Sequence, residues 1–479
     1  KNAPPDEAAV ARRYADSLSV SLLEDRPHGI LPAPFSLSLY TEAVTNMKDY
    51  YAEGGGILTM QGSLSPFFSF STLIAYALID PSEESVFPLY TNSLDAWRTG
   101  GAVLEVSNDY SLQIGGLGLT ALSFGLENLY IQAGLIPSAV GPFFDSGPIV
   151  SPHCPPAGHL SFAYDGGWFG ISSLFLTLKA RYQENPDTGE KIPVTGPRFK
   201  YLLTHLLEFY PLHGLSIGLV QTIVGGEVFN PVYLLPFQHL FYTQQLYGDY
   251  ESSFLGIFGD MQLPGNLHAA FVFYVDDWDS FSSSTKQEGN FFNLDSAQNK
   301  FALQGGLSWN PCYDLFKKVS LRYLMITPYT YTHNAGTHIP FLSYTHLGYN
   351  IGTELEPNSD RISLAVELEP LPGLLAEITG RFMRHGNASE EYTEGDGSVY
   401  DDGFVDDTVT FYGPSRFLTQ ETIEYVIQAG IDMDYVLPFD RVILSVNGGY
   451  TFQYAWNRDL VSGENGMDHM VTLGMKISF

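Results

Sequence analysis

Side chains of a β-strand point alternately to its two faces, and residues 467–479 follow that period without a break. His469, Val471, Leu473, Met475, Ile477 and Phe479 share one face; Thr472, Gly474, Lys476 and Ser478 share the other. The same alternation returns upstream. In residues 441–454, Val442, Leu444, Val446, Gly448, Tyr450, Phe452 and Tyr454 oppose Arg441, Ser445, Asn447, Thr451 and Gln453. In residues 422–435, Ile423, Tyr425, Ile427, Ala429, Ile431, Met433 and Tyr435 oppose Thr422, Glu424, Gln428, Asp432 and Asp434. Ile362, Leu364, Val366 and Leu368 face away from Arg361, Ser363, Glu367 and Glu369, as Phe301, Leu303, Leu307 and Trp309 do from Gln304 and Ser308. Segments of about ten to fourteen residues are long for soluble strands and suit tilted strands that cross a bilayer, apolar face to lipid and polar face to an aqueous interior.

The connections alternate in length. Short turns are predicted at residues 210–214, 263–266, 310–318, 369–373 and 436–440, and long segments at 183–196, 225–250, 276–296, 331–360, 385–419 and 457–466. Short periplasmic turns and long external loops are the asymmetry of outer-membrane barrels. Counting back from Phe479 predicts an all-β, antiparallel transmembrane barrel of about 18 strands, within a range of 16 to 20. Residues 56–63 and 67–79 read as one hairpin. Residues 34–479 form the single barrel, and residues 1–33 a periplasmic or plug segment whose stretch PDEAAVARRYADSL suggests a short helix starting near Asp6.

Composition agrees: 44% of the chain is hydrophobic, only 16% is charged, and 30 Tyr and 33 Phe supply aromatic girdles. No apolar run of about eighteen residues exists, so helical spans are excluded. The chain opens on Lys1, Asn2 and Ala3 with no apolar signal core, which fits the numbering of an exported protein after cleavage. Net charge of −30 excludes a nucleic-acid partner, since phosphate binding needs a basic surface. Eight carboxylates, Glu390, Glu391, Glu394, Asp396, Asp401, Asp402, Asp406 and Asp407, fall in one predicted loop. A solvated surface or calcium binding would each fit them, although the D-x-[DN]-x-[DN]-G pattern is absent. Cys154 belongs to a loop on the outer side or folded into the lumen and Cys312 to a periplasmic turn, so the two should not pair.

Several blocks carry a family resemblance. Residues 198–279, with RFKYLLTHLLEFYPLHGLSIGLVQTIVGGEVFNPVYLLPFQHLFYTQQLYGD and then YVDDWD, resemble the Wzi-type capsule-assembly family of outer-membrane barrels. So do YIQAGLIPSAVG at 130–141, IVSPHCPP at 149–156 and the stretch from LGYNIGTELEP to RFMRHG at 347–386. The resemblance implies an 18-stranded barrel with a plugged lumen, whose outer face binds or anchors surface polysaccharide. The strand ending on Phe479 resembles the terminal signature that the barrel-assembly machinery reads. Implied partners are therefore outer-membrane lipid, surface polysaccharide and that machinery, in the bacterial outer membrane.

Two features of residues 198–279 stand out. Alternation puts His205 among lipid-facing Leu203, Leu207 and Phe209, so either it lies at an interface or a bulge shifts the register. Residues 229–246 are not strand-like: Pro231 and Pro236 break a ladder, and Phe237, Leu240, Phe241 and Leu246 have helical spacing. Such a helix, inserted in or near the lumen, would close the pore; an ordinary external loop helix is the alternative.

Sugar recognition needs aromatic faces and planar polar groups. The candidates are Tyr233, His239, Tyr242, Gln244 and Gln245 in the inserted segment, and Asp276, Asp277 and Trp278 at the base of the next loop. Lys200, Glu208, Glu377 and Arg381 read as an internal ion-pair network, since crowded lumenal charges need partners. No catalytic spacing appears: HLLE at 205–208 is not H-E-x-x-H, no triad is identifiable, and no Cys or His set suits a metal or other cofactor. Two non-enzymatic classes remain, a polysaccharide-binding surface protein with a plugged pore and a porin-like diffusion or substrate-specific channel.

Overall fold

A computed structural model of the chain describes residues 35–47, 50–81, 99–107, 110–180, 182–184, 191–193, 199–248, 251–278, 299–311, 313–333, 341–387, 399, 417–439 and 442–479. The expected helix near Asp6, the plug segment 1–33, the acidic run 390–407 and Cys312 lie outside them. In chain order the strands are β1 (Phe35–Thr45), β2 (Tyr50–Ser63), β3 (Phe68–Pro81), β4 (Thr99–Ser107), β5 (Tyr110–Gly125), β6 (Leu129–Ile136), β7 (Ala157–Asp165) and β8 (Phe169–Leu178). After two three-residue strands, β9 (Tyr182–Glu184) and β10 (Lys191–Pro193), come β11 (Lys200–Leu212), β12 (Leu215–Gly226), β13 (Ser252–Leu263), β14 (Leu267–Asp277), β15 (Lys300–Trp309) and β16 (Phe316–Ile326). Two-residue β17 (Thr345–His346) and β18 (Tyr349–Asn350) precede β19 (Ser359–Leu371), β20 (Leu374–Gly386), β21 (Ile423–Pro438), β22 (Ile443–Trp456) and β23 (Asn465–Ser478).

One sheet holds nineteen of these strands, every neighbour antiparallel. β4 pairs with β5 beyond the point where β6 ends, which leaves eighteen strands in the ring. The ring closes where β1 pairs with β23, from Ser38 opposite Ser478 to Thr45 opposite Val471. Closure removes both sheet edges, the condition for burying backbone polar groups in hydrocarbon. Residues 56–63 and 67–79 do form a hairpin, β2 with β3. Short turns are made by glycines with positive φ, among them Gly214 at 77° and Gly373 at 80°.

Alternation sorts the strands as the sequence predicts. Leu473, Met475, Leu364, Ile427 and Tyr450 are exposed on the outer face, while Gln428 and Gln453 are buried inside. Pairing of β11 with β12 runs unshifted from Lys200 opposite Gly226 to Phe209 opposite Ile217, with the irregularity only after Phe209. No bulge therefore rescues His205: it faces outward.

The largest buried cluster lies within the ring. Inward wall residues Leu174, Leu176, Leu202, Leu206, Val220, Phe254, Val272 and Tyr274 meet two connections that fold into the lumen. Val140, Phe143, Ile149, Val150 and Cys154 come from residues 137–156; Tyr331, Tyr344, Ile351 and Leu355 come from residues 327–358. β6 and β7 are short, at 8 and 9 residues, because the chain leaves the wall there and turns inward. Ile149, Ile351 and Leu355 are at most 1% exposed, and each such side chain contributes about 1.5–3 kcal/mol on burial.

Candidate functional site: two inward connections and a latched outer-wall segment

The two inward connections are bound to each other as well as to the wall. The Tyr331 hydroxyl donates to the Pro148 carbonyl at 2.7 Å, the Tyr344 hydroxyl to the Ile149 carbonyl at 2.6 Å, and the Ser151 amide to the Ile351 carbonyl at 2.9 Å. Gly352 permits this approach, since a Cβ there would stand 2.4 Å from the Pro148 carbonyl oxygen. The rings of Tyr331 and Tyr344 stack at 5.1 Å, and Phe254 packs against Tyr344 at 4.8 Å. Tyr329 and Tyr331 hold left-handed φ of 60° and 74°, costing roughly 1–2 kcal/mol each, which the surrounding packing offsets.

Wall residues then pin the plug from several sides. Lys200, fully buried, directs its ammonium to the Ser343 carbonyl at 2.7 Å and to the Thr345 hydroxyl at 3.2 Å. Asp276 accepts the Tyr331 amide at 2.8 Å. Arg322 pairs with Asp145 at 2.7 Å and lies 5.9 Å from the Phe143 ring centroid. Burial alone would raise the Asp145 carboxyl, but the Arg322 guanidinium outweighs it and holds the group below the usual range. Glu354 behaves alike: burial opposes its charge and the paired Arg361 prevails. His346 accepts the Lys179 amide at Nδ1, 2.9 Å, so its Nε2 carries the proton, and burial lowers it to about 4. Burial also pushes the free Cys154 thiol upward.

Of the expected ion-pair network of Lys200, Glu208, Glu377 and Arg381, the attraction between Glu377 and Arg381 is present, while the other two residues are engaged elsewhere. Lys200 binds plug oxygens, Glu208 accepts from Ser216 at 3.2 Å, and Arg381 donates to Gln428 at 3.1 Å. Against β1–β3, β5, β22 and β23 lies a cavity of about 260 Å³ lined largely by apolar side chains such as Ile57, Leu73 and Leu117, with Glu42, Glu53 and Lys476 among them.

The helix expected in or near the lumen is on the other side of the wall. A 3-10 turn, Pro231–Leu234, and α1, Leu240–Tyr247, pack on the outer face of β8, β11 and β12. Tyr233 and Leu240 meet outward Tyr201, Leu203 and Ile223, with Phe175 and Phe229 alongside. The outer position has a chemical cause in an outward polar row, Ser173, His205 and Gln221, paired in register across the three strands. Facing lipid, such groups would be costly; the segment covers them and supplies partners. His205 Nδ1 meets the Ser173 hydroxyl at 2.6 Å and its Nε2 the Tyr233 carbonyl at 2.8 Å. Gln221 donates to the Gln238 carbonyl at 2.7 Å and accepts the Leu240 amide at 2.9 Å. What packs inside the ring instead is the pair of inward connections.

Of the eight candidates for sugar contact, three are exposed and Asp276 and Asp277 partly so. His239 and Tyr242 are exposed with ring centroids 4.5 Å apart, and Gln245 lies one helical turn on from Phe241. Tyr233 is fully buried under the 3-10 turn, and Gln244, 5% exposed, turns its amide to the Glu251 carbonyl. Asp276 anchors the plug, while Asp277 accepts its neighbour's amide, Trp278 N, at 2.8 Å. Trp278 is packed with Phe301, Met325 and Phe273 in a second cluster on the outer face. The eight residues do not converge on one site. Sequence reasoning missed Gln221, Tyr331, Tyr344 and His346. A signal was present: residues 327–353 and 228–248 contain no Asp, Glu, Lys or Arg, and residues 129–164 contain only Asp145.

No family model matches the sequence, and no curated protein does. Among solved structures, Wzi of Escherichia coli, an outer-membrane protein involved in group 1 capsule assembly and described as a carbohydrate-binding β-barrel, matches with a TM-score of 0.53. The identity is 12%, over 100% of this chain and 89% of that one. OprD of Pseudomonas aeruginosa gives 0.48 at 12% identity over 93% and 95%, and OccAB2 of Acinetobacter baumannii 0.46 at 9% over 93% and 98%. Likeness at this level of identity establishes the fold. With its ring of lipid-facing apolar side chains, the chain is a β-barrel of the bacterial outer membrane.

Proposed function

We propose that this barrel binds or anchors surface polysaccharide, with its pore plugged and without catalysis. The observation that carries the reading is the packed plug. Tyr331 and Tyr344 sit at 0% exposure in a continuous core between two inward connections and the wall, an arrangement suited to holding a surface rather than passing solute. The resemblance to a carbohydrate-binding barrel supports the same reading. His239, Tyr242 and Gln245 offer an aromatic face and planar donors for sugar hydroxyls. Phe479, exposed beside the seam where its amide binds the Leu37 carbonyl at 2.9 Å, is the handle for the assembly machinery. Refolded barrel is screened on a glycan array. Retention of one polysaccharide class, weakened at least tenfold by Tyr242→Ala, is the expected result; no retention of any class refutes it.

One observation favours a channel instead, the cavity against β1–β3 with Glu42, Glu53 and Lys476 in its lining. Solute-dependent current blocked by Ala77→Trp, which fills that cavity, would select this second reading.

A further inference from the structure

The outer-wall segment explains its buried face but not its exposed one. Residues 228–248 carry no Asp, Glu, Lys or Arg, in a chain with 76 such side chains, and yet present Val228, Leu235, Phe237 and Leu246 at 77%, 55%, 78% and 80% exposure. An external loop surrounded by water would gain nothing from this composition, and a contiguous apolar surface on a soluble part marks a contact.

Its position supplies the identity of that contact. The polar row it covers is in register with the lipid-facing wall: His205 pairs with Gln221, and Gln221 with Leu255 on β13, which is 45% exposed on the outer face. One pair further toward the short turns, Leu219 and Ile257 are exposed on that face too. The segment thus rests against the wall at the level where the adjacent strand meets hydrocarbon, and its apolar surface continues the barrel's lipid belt. Amphipathic segments lying in the plane of an interface bury an apolar face about 5–10 Å into the headgroup and acyl boundary.

We infer that residues 228–248 form a foot seated in the outer leaflet, Phe237, Phe241 and Leu246 among acyl chains, with the Ser173–His205–Gln221 row as the latch that joins foot to wall. Exposed Tyr242 and Tyr247 are placed for the headgroup level, where tyrosine concentrates. Tyr242 and Gln245 lie on this same exposed face, so they reach a glycan only at the headgroup level; the test of the foot itself involves no glycan.

The intact chain, with Cys312→Ser, receives a nitroxide at Phe237→Cys or Leu246→Cys and is reconstituted into phosphatidylcholine vesicles. Leu255→Cys on the lipid belt and Ser462→Cys on an exposed turn are the references, and unchanged heat-modifiable migration on gels verifies each barrel. Collision with dissolved oxygen should exceed collision with a water-soluble nickel chelate at positions 237 and 246, as at 255 and opposite to 462. The inference fails if both sites rank with 462. It also fails if both are shielded from either reagent and broadened by a second label, since a neighbouring copy of the chain would then occupy the face.

Discussion

Gln221→Leu tests the latch with little change of volume. It removes two bonds of 2.7 and 2.9 Å and leaves the Gln238 carbonyl and the Leu240 amide facing an apolar wall. An orphaned buried polar group costs about 1–3 kcal/mol. Gln238 is only half-buried, so the lower part of that range applies and the pair together cost about 2–3 kcal/mol. A second effect has the same sign. When the wild-type segment lifts, Gln221 meets hydrocarbon without partners, whereas leucine in that place does not, so detachment becomes easier still. At about 1.4 kcal/mol per factor of ten, local opening should rise by roughly thirty- to a hundredfold. Amide hydrogen exchange read by mass spectrometry on a peptide spanning 240–248 measures it, because the Thr243 and Gly248 amides donate to the His239 and Gln244 carbonyls only while α1 is formed. Exchange within a few-fold of wild type, or equal acceleration in the plug at 341–356, would refute the latch as described.

Further outcomes follow from the plug. Tyr344→Ala should cost about 3–5 kcal/mol of plug docking, by analogy with other aromatic truncations, and raise the frequency of openings in planar bilayers above that of the wild type. Gly306→Val should do the same from the wall, since a Cβ at 306 would lie 2.6 Å from the Phe143 ring; unaltered accessibility of plug residues to protease would contradict it. Acidification should loosen the plug. His346 titrates near 4 when docked and near its ordinary 6.5 when released, so the released state binds the extra proton between these values; docking is complete above about pH 6.5 and weakens as pH falls toward 4. The full shift corresponds to about 3 kcal/mol, and Asp145 and Glu354, whose carboxyls are held low, add loss of the same sign at the acid end. Protease sensitivity of residues 341–356 at pH 7.5 and 4.5 reads this out, and His346→Gln should flatten the change down to about pH 5.

The barrel itself was legible because two solvents divide odd positions from even ones, and that signal repeats in nearly every strand. Strand β23 shows it: Leu473 and Met475 are exposed outside, while Lys476, on the opposite face, pairs with Tyr40 and Ser445. The same rule produced the useful anomaly at His205. Strict alternation put a histidine on the lipid face, and the structure keeps it there, covered by chain that the period of two could not place. Helical spacing in residues 229–246 revealed α1 yet not its side of the wall, because Leu240 would pack against a lumenal or an outer apolar face equally well. What decides the side is the polar row under it, and a partner for Gln221 at residues 238 and 240 is a tertiary fact. Two of the sugar candidates are buried for a related reason: Tyr233 and Trp278 have the residue types of a binding platform, but aromatic rings near a membrane wall also fill clusters on that wall. Absence of charge in residues 327–353 was the readable sign of a connection that enters the core, in contrast to the acidic run at 390–407.

If the two inward connections close this barrel, single-channel recording of the purified wild-type protein in planar bilayers at neutral pH should show silence at moderate voltage, and openings once Tyr344→Ala is introduced. Steady wild-type openings with a conductance unchanged by that substitution would mean that the connections leave the pore open.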